Sequence, residues 1–210
     1  MAETASENWL SLLDWRRKMS DLYAEVRRLY ASDPAAAHQL WQRVRNELFK
    51  SHPQSPLLME AWADFAALPV WPYDPAYAFS SAVQTDLPPE QFTVQTSAGH
   101  AMPLIRVGRV NLHNQHHDLG KLDVYWIDVY GGGIFLPFRD AGSGQTHYGG
   151  GRYLLDTVKS ADLGSLADGR MVLDFNFAYH PSCFYDPQWS CPLAPPQNKL
   201  AAEVRAGERL

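Results

Sequence analysis

Cysteine is scarce in this chain: Cys183 and Cys191 are the only two among 210 residues. Two thiols are too few for the disulfide lattice of a small secreted scaffold and too few by themselves for a structural zinc site, although they can still pair with each other. Long apolar runs are missing as well. No stretch approaches the roughly 20 apolar residues of a membrane span, and the N-terminus lacks a basic head followed by an uninterrupted apolar stretch, so the expected location is cytoplasmic. Positive charge is in deficit: 18 Lys and Arg against 23 Asp and Glu give a formal charge of -5 and a pI near 5.9. Such a chain has no long-range attraction for nucleic acid or anionic lipid, so any recognition of phosphate must be local.

What is present is an ordinary globular composition, 46% apolar and 20% charged, long enough for one substantial domain with or without a helical extension. From Ser6 to Tyr30 apolar residues recur at three- and four-residue steps, which predicts an amphipathic helix. Ser32-Asp33-Pro34 then supplies a break and a new start, and Leu40, Trp41, Val44 and Leu48 mark a second helix that should stop before Pro53. Residues 1–51 are thus expected to form a helical extension and residues 52–210 a β domain. Between His52 and Pro89 prolines mix with aromatic residues; this segment should wrap the surface with its rings inward, with a short helix over Leu57 to Phe65.

From Phe92 the period changes to two, giving six candidate strands: from Phe92 to Thr96, Met102 to Leu112, Leu122 to Val129, Ile134 to Phe138, Arg152 to Val158 and Met171 to Tyr179. Short turn-rich connections imply antiparallel neighbours. The expected fold is α+β: N-terminal helices, then a six-stranded antiparallel β-barrel resembling a split barrel, then a proline-rich tail, His180 to Pro196, lying across it.

Two stretches point to chemistry. In the first, Gly142 to Gly151 concentrates glycine, which implies positive φ or close backbone approach and exposed N–H groups. With Ser143, Thr146 and Arg152 beside Gly149, Gly150 and Gly151, those donors can hold a carboxylate or phosphate. The alternative is a wide turn stapled by an internal Asp140–Arg152 ion pair. The stretch is neither a Walker loop nor a nucleophile elbow. In the second, Asp174 and Asn176 would share one strand face opposite Phe175, Phe177 and Tyr179, a polar pair in an apolar setting that must be satisfied or bind something. His113, His116, His117 and Asp118 have metal-capable side chains but fall in an expected turn, so no metal site is assigned. A Cys183 nucleophile would need His180 as its base, the only histidine near it in sequence.

The ordered set Leu136-Pro137-Phe138-Arg139-Asp140, Thr146, Tyr148-Gly149-Gly150-Gly151-Arg152-Tyr153, Leu173-Asp174-Phe175-Asn176, Ala178-Tyr179, Pro181, Cys183, Cys191-Pro192, Asn198 and Ala206-Gly207-Glu208 resembles the bacterial and archaeal domain-of-unknown-function family 1684. Ser55-Pro56-Leu57 with Phe65 and Leu68 resembles its opening segment, so the likeness runs from about His52 to the C-terminus. The resemblance implies a shared β domain with these polar residues at one site; it brings no established activity. Ala141 stands where the family usually has threonine, and His180 where it usually has asparagine.

The leading expectation is a small-molecule-binding β-barrel protein. Arg152, Tyr148, Thr146, Ser143 and the glycine loop would hold an anionic group, with Asn176 and His180 lining the site. Asp140 and Asp174 are the acid or base candidates if chemistry occurs, with Tyr148 as auxiliary donor. A flavin-binding split-barrel oxidoreductase is the second expectation, and a non-catalytic structural or partner-binding domain with the first helix as docking element the third. The expected partner is a small anionic molecule rather than nucleic acid or membrane, and a homodimer is allowed.

Overall fold

The structure, a computed structural model, describes residues 5–210. It opens with a helical hairpin, α1 (Ala5–Tyr30) and α2 (Pro34–Ser51). The Asp33 carboxylate accepts the Ala36 N–H at 2.9 Å and Pro34 occupies the first turn, where no amide is needed. The His52 amide closes α2 on the Leu48 carbonyl just ahead of Pro53. Met19, Leu22, Tyr23 and Val26 of α1 face Ala37, Trp41 and Leu48 of α2 in one buried cluster, as the spacing requires. The short helix expected over Leu57 to Phe65 is a single turn, Met59–Ala61. Leu58 and Met59 are exposed, so no apolar face is buried to stabilise more.

The sheet strands are β1 (Ala78–Ser81), β2 (Glu90–Gln95), β3 (Ala101–His113), β4 (Asp118–Ile127), β5 (Ile134–Phe138), β6 (Arg152–Asp156) and β7 (Met171–Asp174). β2 to β6 form an antiparallel sheet in chain order, while β1 and β7 pair with each other in a second, two-stranded sheet. The fold is therefore α+β, but the six-stranded barrel is corrected to five strands that do not close. Each edge of the five-stranded sheet finds a partner in the chain that follows β7. Tyr153 of β6 exchanges amide bonds of 2.9 and 3.1 Å with Tyr179, and the Leu193 N–H donates to Gln95 of β2 at 3.0 Å. Edges satisfied this way have no need of each other.

The expected last strand also ends early. After β7 the Asp174 carboxylate accepts the Asn176 N–H at 2.9 Å and winds Phe175–Phe177 into one 3-10 turn, so Asp174 and Asn176 do not share a pleat face. β1 lies inside the proline and aromatic segment, and its four residues carry too short an alternation to be read.

One face of the five-stranded sheet meets the helices through Leu104, Tyr125, Phe135 and Tyr153. The other packs Leu122, Val124, Leu136 and Phe138 against Phe79, Leu173, Phe175, Leu200 and Val204. No helix among the described residues is long and apolar enough to cross a membrane.

Candidate functional site

Asp140 leaves β5 and Arg152 opens β6, two paired neighbours, and the two side chains meet at 2.9 Å while almost wholly buried. The Arg152 guanidinium also donates to the carbonyls of Val204 at 2.9 Å, Glu208 at 3.0 Å and Ala206. Asp140 accepts from the Val204 amide at 3.0 Å, the Gly142 amide at 3.1 Å and the Ser143 hydroxyl at 3.2 Å. Burial alone would raise the Asp140 pKa, but the His147 hydrogen bond and the Arg152 charge outweigh it and hold it below the ordinary aspartate value. Burial lowers Arg152 to about 10, against the pull of Asp140.

His147, absent from the expected site, completes this node. Its Nε2 accepts from the Trp71 indole N–H at 3.2 Å, which places the ring proton on Nδ1, 3.2 Å from Asp140 Oδ1. Thr146 donates to Glu203 at 2.8 Å. The glycine loop closes largely on itself: the amides of Thr146 and His147 donate to the Gly142 carbonyl, and that of Gly151 to Tyr148. Gly151 is required, since its φ is +98° and a Cβ there would lie 2.6 Å from the Phe138 carbonyl oxygen. The group expected to grip an anion thus fastens residues 204–208 to β5 and β6.

A second node lies beyond it. Glu208 is fully buried and accepts from Arg45 of α2, from the His180 amide and, at 2.8 Å, from the Tyr185 hydroxyl. Arg45 lies over the rings of Trp41, Phe49 and Tyr179. A third node holds Asp174 and Asn176. Asp174 accepts from the Tyr30 hydroxyl at 2.9 Å and the Asn176 amide nitrogen at 2.7 Å, while Asn176 bonds the Asp74 backbone. Burial raises Asp174 to about 6 despite those donors. The expected residues are thus divided: buried Asp140 and Arg152 with half-buried Ser143 and Thr146 in one network, buried Asp174 and Asn176 in another.

Tyr148 and His180 meet elsewhere, beside the cysteines. The Tyr148 amide donates to His180 Nε2 at 3.3 Å, and burial lowers His180 to about 4. A ring so occupied does not serve Cys183 as its base. Cys183 and Cys191 are free thiols: the Cys183 amide lies 3.3 Å from Cys191 Sγ, and the Tyr148 hydroxyl 3.9 Å from Cys183 Sγ. The hydrogen bond between the two thiols, with further donors, lowers Cys183 to about 6 and pushes Cys191 up.

Cys191 lines a hollow of about 240 Å³ between α1 and the tail, walled by Trp15, Arg16, Lys159, Ser160 and Trp189. The lining contains two cations and no carboxylate. The Trp189 indole N–H is buried without an acceptor, and Ser160, at φ +65°, is the one non-glycine among the described residues with positive φ. A larger groove of about 600 Å³ between α1 and α2 is rimmed by Asp14, Asp21, Glu25 and Glu47, which repel an anion. His113 and Asp118 lie exposed at the β3–β4 turn, and His117 stacks on Tyr77. The hollow's lining is dispersed over four segments without a motif, so sequence reasoning did not find it; α1 read only as an amphipathic helix.

Among curated proteins none matches this sequence. A solution NMR structure of an uncharacterised protein from Haloarcula marismortui is similar, with 32% sequence identity, a TM-score of 0.56, and coverage of 82% of this chain and 91% of that one. The model of the family described as "Protein of unknown function (DUF1684)" matches residues 63–209. That span takes in the Asp140–Arg152 staple, the buried Glu208 and both thiols, and the chain belongs to this family.

Proposed function

We propose that the protein binds a small anionic molecule with an apolar or aromatic body, and that the hollow between α1 and the tail is its site. What carries the reading is a lining with Arg16 and Lys159, no carboxylate, and the unpartnered Trp189 N–H. Arg16 and Lys159 supply attraction, the indole N–H supplies a directed donor, and Trp15 and Met19 supply the apolar wall. The volume of about 240 Å³ equals roughly eight waters' worth of liquid, which suits a compact acid. A flavin is larger than this, and the analogy that favoured it rested on a closed barrel.

The probe is naphthalene sulfonate, followed by the indole N–H resonances of Trp15 and Trp189. Binding should move the Trp189 resonance, and Arg16→Gln with Lys159→Gln should weaken it about three- to thirtyfold, as for two partly exposed charge contacts of roughly 0.3–1 kcal/mol each. An unmoved Trp189 resonance, or equal affinity in the double variant, would remove the proposal. Native mass spectrometry of untreated protein would name a molecule that co-purifies.

A further inference from the structure

The thiol pair has no role in the networks that fasten the fold, yet one member, Cys191, lines the hollow, and the Cys183 amide lies against its sulfur. We infer that Cys183 and Cys191 are a dithiol that exchanges with a low-molecular-weight disulfide, a site and an activity resting on the hollow for the substrate's approach.

The geometry argues for the pair rather than for either cysteine. A free thiol that merely fills a core has hydrocarbon neighbours. Here Cys191 Sγ faces the Cys183 amide at 3.3 Å, and Cys183 faces the Tyr148 hydroxyl at 3.9 Å together with the Cys191 thiol. Those donors stabilise a sulfur anion on Cys183, which is the nucleophilic form. Both cysteines are buried, so the donors around its sulfur, rather than exposure, assign Cys183 the first attack. The tail brings the pair together without a bond: Cys183 sits in the turn Ser182–Phe184, and the Cys191 amide is held by the Ser97 hydroxyl at 3.1 Å.

The step balances. The Cys183 thiolate attacks one sulfur of the small disulfide; a bond forms between them, the small S–S bond breaks, and one small thiolate leaves and takes up the proton lost by Cys183. Cys191 then loses its proton, attacks Cys183 Sγ and expels the second small thiol. The protein is oxidised by two electrons and the small disulfide is reduced to two thiols.

The test is incubation of the full chain, under native conditions, with oxidised glutathione at several ratios to reduced glutathione, read by intact mass and peptide mapping. The expected product is a chain lighter by two hydrogens with Cys183 and Cys191 linked. Cys191→Ser should accumulate a glutathione adduct on Cys183, and Cys183→Ser should not accumulate one on Cys191. Reaction only in denaturant, an adduct on both cysteines without a link, or the reverse trapping pattern would each overturn the inference. Naphthalene sulfonate binding measured on the same samples separates the two proposals: binding that persists without exchange sinks this one alone.

Discussion

Arg152 faces protein atoms on every side. Its cation meets Asp140, and its remaining donors meet the carbonyls of Val204, Ala206 and Glu208. Removing one partner of such a pair leaves a buried charge without compensation, which is far more destabilising than the pair itself is stabilising. Arg152→Gln is therefore expected to lose about 3–5 kcal/mol, a fall in Tm on the order of 10 °C for a chain of this size, in protein with no ligand added. Chemical denaturation checks it; a variant as stable as the parent would show that the pair fastens nothing. The pairing was legible because twelve residues separate the partners across a turn. Glu208 was not, because its partner Arg45 lies 163 positions away and nothing local marks a carboxylate as buried.

At the scale of elements, the turn after β7 decides where the chain goes. Asp174 caps it, and the same carboxylate receives the Tyr30 hydroxyl from the end of α1, so one side chain ties β7 to the helical hairpin. Burial raises its pKa to about 6. The folded state then holds this proton more tightly than the unfolded chain does, so the Asp174 contribution to stability is present at low pH and is lost as pH rises from about 4 to about 6. His38, lowered to about 4 by burial, pulls the other way, because the folded state favours its neutral form. The difference between the parent and Asp174→Asn isolates the carboxylate. Relative to the parent, the variant should gain up to about 3 kcal/mol between pH 4 and pH 7, measured by urea unfolding at both pH values. A pH-independent difference would mean that Asp174 titrates normally. Both helices were readable from spacing and from the Asp33-Pro34 start, whereas the end of β7 was not: period-two alternation over residues 171–179 says strand, and only the cap at Asp174 says turn.

The whole molecule joins its N-terminal hairpin to the rest through apolar contact and charge together. Trp41 meets Phe177 edge to face at 5.6 Å, Tyr23 and Val26 share a cluster with Tyr125, Phe135 and Tyr153, and Arg45 neutralises Glu208 from across the chain. Deleting residues 1–51 removes that cover from one face of the sheet and leaves Glu208 and Asp174 buried without Arg45 and Tyr30. Each side chain fully buried against the sheet contributes about 1.5–3 kcal/mol, and several such losses exceed the 5–15 kcal/mol that holds a typical domain folded. The truncated chain is accordingly expected to lose cooperative unfolding and to associate through its bared sheet face, checked by size-exclusion chromatography and by the dispersion of its amide resonances. A monomeric, well-dispersed fragment 52–210 would establish the hairpin as a separable arm. It would then also take Arg16 and Trp15 from the hollow without unfolding the wall that holds Cys191, leaving the contribution of α1 to anion binding measurable on its own.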